Sequence, residues 1–157
     1  MDKKFSNLPL RKGVGVALLN KYNQIFVARR IDNPNDFWQM PQGGIDKGEN
    51  PLKAAYRELN EETSIKTVEL IQEIEDEITY HLPDNLLGII WKGKFKGQTQ
   101  KWYIMRFLGE DNEINLNTKY PEFLEWKWIN HEDITDKVVE FKLHVYEKIK
   151  NELNKII

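Results

Sequence analysis

The 157-residue chain contains no cysteine. That excludes disulfides and thiolate metal sites, and it fits a reducing compartment. Histidine is nearly absent too. The three present, His81, His131 and His144, show no ligand spacing, so zinc chemistry is not expected. No stretch approaches the roughly 20 apolar residues that span a bilayer. The opening MDKKFSNLPL has no apolar core of signal-peptide length. Neither sign of charge dominates: 23 Lys and Arg stand against 25 Asp and Glu, a net charge of -2. Without a global basic field, a polyanion must be held by a local patch. Repeats, low-complexity tracts and linkers are missing as well. The expectation is one soluble cytoplasmic domain over residues 1–157, large enough for a proper core and with no membrane partner.

What the chain does have is a concentrated motif between Gly43 and Ile65, GGIDKGENPLKAAYRELNEETSI. Asn50 is a good N-cap, followed by Pro51 at the first helical position. Leu52, Ala55, Tyr56 and Leu59 then recur at i, i+3, i+4 and i+7, the spacing of one apolar helix face. At about 100° per residue, Glu58, Glu61 and Glu62 fall together on a neighbouring face, free to point into a cleft. Like charges at i, i+4 repel, so Glu58 beside Glu62 argues for a bound cation. A hard divalent metal, which prefers carboxylate oxygens, suits the donors. Arg57 flanks the acids and is placed to reach back to Glu49.

The remaining pattern alternates strands with two main helices. Residues 13–19 read as a buried strand, 20–23 as a turn and 24–30 as the partner strand. Residues 32–36 read as a loop and 38–40 as a short strand leading into Pro41-Gln42-Gly43-Gly44. Residues 68–74, 77–81, 101–107 and 124–129 read as further strands, the last with Trp126 and Trp128 on one side. A final helix from about Glu140 carries Phe141, Val145, Ile149 and Leu153. Mixed strands with two helices imply a layered α/β fold.

From Gly43 the motif reads G, five residues, E, seven residues, R-E, an apolar residue, any residue, E-E, two residues, an apolar residue. It resembles the signature of the Nudix hydrolases, G-x5-E-x7-R-E-U-x-E-E-x-G-U, with U aliphatic. One position departs: Ser64 stands where the family has its second glycine. That glycine closes the helix with positive φ, and serine there costs about 1 kcal/mol. The resemblance implies the Nudix α/β/α sandwich, with a mixed sheet between helices.

It extends along nearly the whole chain. RKGVGVALLN, IFVARR, WQMPQGGIDKGE, GQTQKWYIMRF, PEFLEWKW and VEFKLHVY resemble, in order, segments of a Nudix subfamily. That subfamily holds bacterial RNA pyrophosphohydrolases and dinucleoside polyphosphate hydrolases of the asymmetrical diadenosine tetraphosphate type. The resemblance implies a catalytic group of Arg57, Glu58, Glu61, Glu62 and Glu122. Glu58, Glu61, Glu62 and Glu122 would be ligands to Mg2+, or to Mn2+. It implies phosphate contacts from Arg11, Arg30 and Lys142, with Phe141 beside a nucleobase. Core packing is the competing role for Phe141, which also starts the apolar stripe of the last helix. Gln42, Gly43 and Gly44 border the cleft, and the Gly43-Gly44 backbone can approach a phosphate closely.

The implied reaction is hydrolysis of a phosphoanhydride bond in a nucleoside polyphosphate. The favoured substrate is an RNA 5′ end, converted to a monophosphate as in mRNA decay. The alternative is diadenosine tetraphosphate. A nucleotide-sanitising hydrolase and a Nudix-fold module that binds without catalysis are the remaining readings.

Overall fold

A computed structural model describes residues 5–33 and 35–157. The long apolar run after Arg11 becomes β1 (Leu10–Leu19), and a turn at Asn20 returns the chain into β2 (Gln24–Arg30). Asn20 Oδ1 accepts the backbone N–H groups of Tyr22 and Gln24, which closes that turn. Next come β3 (Gln42–Gly44) and helix α1 (Pro51–Thr63). Two strands follow, β4 (Val68–Glu73) and β5 (Ile78–His81). The chain ends with β6 (Gly97–Phe107), β7 (Phe123–Asn130) and helix α2 (Leu143–Asn154).

The sheet runs β4-β6-β1-β2-β7, with β3 added on β1 and β5 on β6. Among the described strands only the β1–β6 pair is parallel, from Leu10 opposite Gly97 to Leu19 opposite Arg106. Each of these central strands divides its other edge between two neighbours. The start of β1 pairs with β3 and its end with β2. The start of β6 pairs with β5 and its end with β4. The sheet therefore opens at one end, where the first halves of β1 and β6 meet β3 and β5.

Both faces of β1 are covered, which explains its unbroken apolar sequence. Val14, Val16 and Leu18 pack with Ala54, Ala55 and Leu59 of α1. Ala17 and Leu19 pack with Val145, Tyr146, Ile149 and Leu153 of α2. The expected α/β/α sandwich with a mixed sheet is present. Trp126 and Trp128 do share a side of β7 and clasp Phe26 at ring distances of 5.7 and 5.8 Å.

Three expectations need adjustment. Residues 38–40 form no strand, although Gln39 makes an isolated bridge with Ala28; the strand begins at Gln42 instead. β6 starts at Gly97 rather than 101, because its polar residues Gln98 and Gln100 point inward. On α1, Tyr56 is exposed and Ala54 is buried. The small side chains let the helix lie close on the sheet, and the larger ring stays outside. Pro34, within the expected 32–36 loop, lies outside the described residues.

Both ends of α1 follow local chemistry. Asn50 Oδ1 accepts from Leu52 N at 2.9 Å and Lys53 N at 3.3 Å. At the other end Ser64 takes φ 68°, the left-handed closure that glycine favours. Its hydroxyl is not idle, since Oγ donates to Asn115 O at 2.8 Å. This bond offsets the backbone penalty, because each is worth about 1 kcal/mol. Ser64→Gly should therefore stay within about 1 kcal/mol of wild type in chemical denaturation. Ser64→Val, β-branched at positive φ and without the hydroxyl, should lose more than about 2 kcal/mol.

Candidate active site

Arg57 assembles the centre of the site. Its Nε and Nη2 grip Glu49 at 2.8 and 2.9 Å, a two-pronged pairing. Nη2 also donates to Gly44 O at 2.9 Å. Nη1 reaches Glu58 at 2.9 Å and Glu61 at 3.0 Å. The expected link from Arg57 to Glu49 is thus made, and it ties the loop, β3 and α1 together. Arg57, saturated by the protein's own acceptors, serves as a brace. The hydrogen bonds from Arg57 and from Asp46 N hold Glu49 down to about 2.

The three helix acids sit in three environments. Glu61 is exposed and turned toward Arg57. Glu58 is mostly buried, and burial pushes its carboxyl up to about 7 against the pull of Arg57. Glu62 is only 4 % exposed. Burial, reinforced by Glu122 and Glu58, lifts it well above the usual carboxylate range. Its Oε2 is buried without a hydrogen-bond partner among the described residues. Gly43 is what lets Glu58 sit so deep, because a Cβ there would collide with the Glu58 carboxyl. A Cβ at Gly44 would collide with the Arg11 guanidinium.

The cations expected at phosphate face the same acids. Arg30 forms a two-pronged pair with Asp32 at 2.8 and 2.9 Å, and its Nη1 lies 3.8 Å from Glu122 Oε2. Glu122 comes from the loop before β7 and confronts Glu62. Lys142 is almost fully buried, and burial, with Arg30 nearby, lowers it to about 8. Its Nζ lies over the rings of Tyr80 and Phe141 at 5.4 and 5.9 Å. Arg11 donates to Gln98 at 3.0 Å and lies 5.2 Å from the Trp91 ring centre.

Two cavities flank this group. One, about 1010 Å³, is lined by Glu58, Glu61, Glu62, Glu122 and Arg11 among others. The other, about 540 Å³, has aromatic walls that include Trp38, Tyr80 and Phe141. Arg30, Gln42 and Trp91 border both, so they join into one cleft. Phe141 packs on the core, its competing expected role, and also lines the aromatic chamber.

Every sequence-predicted site residue thus lies on or braces this cleft. Sequence reasoning missed Asp32, which holds Arg30, and Tyr80, Trp91, Gln98 and Gln100. The glutamines carried at most a faint signal: two amides at alternate positions just ahead of the apolar run Trp102–Met105.

Among the described residues, no three carboxylate or histidine side chains converge closely enough to hold a metal as they stand, since Glu61 is turned to Arg57. The donors nevertheless fit a hard cation. Among the described residues Glu62 presents a buried oxygen with no hydrogen-bond partner, and Glu58 and Glu62 repel one another in a desolvated site.

Such a group weakens the fold when no cation is bound. A raised folded-state pKa means the native protein holds a proton that the unfolded chain releases, so stability falls as pH rises through that interval. In chelator, between pH 4.5 and about 7, Glu62→Gln should lose less stability with rising pH than wild type. At about pH 7 it should melt no lower than wild type, as thermal unfolding will show.

Residues 9–149 match the NUDIX domain. The chain is 68% identical over 151 residues to an RNA pyrophosphohydrolase of Pelagibacter ubique, covering 96% of each chain. It is 47% identical to an RNA pyrophosphohydrolase of Rhodospirillum rubrum, covering 94% of this chain and 89% of the relative. Among solved structures, the E. coli dihydroneopterin triphosphate pyrophosphohydrolase superposes with a TM-score of 0.71 at 20% identity, covering 92% of this chain and 99% of that one. A C. elegans Ap4A hydrolase binary complex gives 0.64 at 22%, covering 94% and 100%. At these identities the structural likeness speaks to the fold alone. With most of its length matched and the acid-lined cleft in place, the chain belongs to the Nudix family of hydrolases.

Proposed function

We propose that this protein is a Mg2+-dependent, cytoplasmic RNA 5′-pyrophosphohydrolase acting in mRNA decay, converting a 5′-triphosphate or diphosphate end to a monophosphate. The observation that carries the reading is the two-part cleft: an acid-lined trough continuous with an aromatic chamber through Arg30 and Gln42. A polyphosphate attached to a nucleoside needs both halves. The near-complete alignment with curated RNA pyrophosphohydrolases supports the choice of RNA. No helix among the described residues is long and apolar enough to cross a membrane, which is compatible with the cytoplasm.

Glu58, Glu61 and Glu62 would hold Mg2+, with Glu122 at the opposite wall; Mn2+ accepts the same oxygen donors. When bound, the ion neutralises phosphate charge, polarises the attacked phosphorus and lowers the pKa of water. The protein's own side chains do the rest. Arg11, Arg30 and Lys142 spread the remaining phosphate charge across the junction of the two cavities. Gly43 and Gly44 allow the backbone to approach the phosphates. The attacking water gives its proton to a carboxylate oxygen of Glu122 or of a helix glutamate. Phe141 and the neighbouring Tyr80 offer ring faces to a base, where stacking is worth about 1–3 kcal/mol.

Glu61 has an exposed side chain, so Glu61→Gln should barely change the melting temperature. It should lower turnover by about two orders of magnitude or more, the scale of losing a group that acts in the transition state. Near-normal turnover would remove Glu61 from the metal site. Substrate choice is decided by comparing a 5′-triphosphorylated RNA oligomer with diadenosine tetraphosphate at matched concentrations. Higher kcat/KM on the RNA is expected, and a strong preference for the dinucleotide would transfer the assignment to dinucleoside polyphosphate hydrolysis.

A further inference from the structure

Two glutamine side chains on β6, Gln98 and Gln100, are fully buried. Buried amides are costly unless their hydrogen bonds are made, and here the bonds run in two short chains toward the cleft. In the first, Trp102 Nε1 donates to Gln100 Oε1 at 3.0 Å, and Gln100 Nε2 donates to Gln42 Oε1 at 3.0 Å. In the second, Arg11 Nη1 donates to Gln98 Oε1 at 3.0 Å, and Gln98 Nε2 donates to the Tyr80 hydroxyl at 2.9 Å.

The polarity of both chains is forced. An indole N–H and a guanidinium can only donate. Each glutamine must therefore turn its carbonyl to that neighbour and its NH2 to the next residue, which removes the usual ambiguity of amide orientation. Gln42 then accepts with Oε1, and its two N–H donors are left to the side facing Tyr80 and the cleft, where Gln42 borders both cavities. The Tyr80 oxygen, close to the same amide, has already taken the Gln98 N–H, so its own proton remains to give. Tyr80 lines the aromatic chamber.

The neighbouring strand is cut to fit these side chains. In the parallel β1–β6 register Arg11 lies opposite Gln98, Gly13 opposite Gln100 and Gly15 opposite Trp102. A Cβ at Gly13 would collide with the Gln98 carbonyl, and one at Gly15 with the Trp102 indole. The two glycines of RKGVGV thus leave room for the polar chains.

We propose that Gln98 and Gln100 are positioning residues that lock Gln42 and Tyr80 as hydrogen-bond donors toward the substrate. The junction of the two cavities then recognises an acceptor oxygen, either of a phosphate or of a base carbonyl. The proposal builds on the hydrolase reading of the site but is independent of which nucleoside polyphosphate is cleaved, so kinetics are taken on whichever one the wild-type protein turns over. Failure to cleave RNA would count against the RNA assignment and leave this inference standing.

Gln100→Glu tests it by inversion. The introduced carboxylate still accepts from Trp102, but its other oxygen now demands a donor. Gln42 must rotate to supply one and turns its carbonyl into the cleft. KM should rise about tenfold or more, with kcat within about threefold, the scale of a lost donor replaced by an acceptor. Gln100→Met abolishes the lock without inverting it, so its KM should rise by less than about threefold, although it loses more hydrogen bonds. In a Gln42→Met background the Gln100→Glu effect should vanish, as a double-mutant cycle requires.

Equal KM shifts in Gln100→Glu and Gln100→Met, or an undiminished effect in the Gln42→Met background, would overturn the proposal. If Gln100→Glu does not fold, Gln98→Glu replaces it, because Arg11 neutralises the added charge. There Tyr80 must give its proton to the introduced carboxylate, and the KM effect should vanish in a Tyr80→Phe background; persistence would overturn the proposal. Inhibition by inorganic tripolyphosphate separates the two sources. A Ki raised in step with KM assigns the acceptor to phosphate, and an unmoved Ki assigns it to the nucleoside.

Discussion

The guanidinium of Arg57 is the constraint on which the site rests. One planar group with five donors engages Glu49, the Gly44 carbonyl, Glu58 and Glu61. It closes the loop before α1 against the helix and brings the β3 glycines beside the acids. Lysine, a point charge with three donors, could not replace that fork. The brace also sets a balance of charge. It pairs Glu49 with two prongs and Glu58 with one, and does not reach Glu62, whose buried Oε2 meets no hydrogen-bond donor among the described residues.

Much of this was legible in the sequence, for identifiable reasons. Helix α1 has an N-cap, a proline and a periodic pattern, all local signals that fix its bounds and the direction of its acids. The Arg57–Glu49 link followed from their spacing around a short loop. β1 announced itself as a buried strand because both of its faces are covered. The roles expected of Arg30 and Lys142 at phosphate, and of Glu122 at a metal or as base, rested instead on family resemblance, since nothing near them in sequence distinguishes such a group from a surface charge. Their meeting point is created by the sheet, which brings the end of β2, the loop before β7 and the start of α2 together.

What escaped the sequence has a common cause. Gln98 and Gln100 look like surface residues of an edge strand, yet β6 is central and their side chains point inward. Only the pairing with β1, and the absence of side chains at Gly13 and Gly15, shows why amides are admitted there. Ser64 is a subtler case. A sequence comparison registers a glycine lost, whereas the structure registers a glycine's backbone kept and a hydrogen bond to Asn115 added. In both instances the information lies in contacts between residues far apart in the chain.

The cleft also shows why such a site tolerates being poorly satisfied. Glu62 is buried with an oxygen that no donor among the described residues meets, an arrangement that by itself works against folding. Filling the position with a neutral side chain or supplying a fixed cation such as Lys would relieve the strain, but on the proposed reading a resident ammonium would occupy the place of the divalent ion. Lys142, lowered to about 8 by burial and by Arg30, stands back over aromatic rings rather than closing on the acids. The unfavourable charge is therefore held in reserve. On the proposed reading, the free energy withheld from the resting fold would become available as affinity when a cation and a polyanion enter together, each lowering the penalty the other would meet alone.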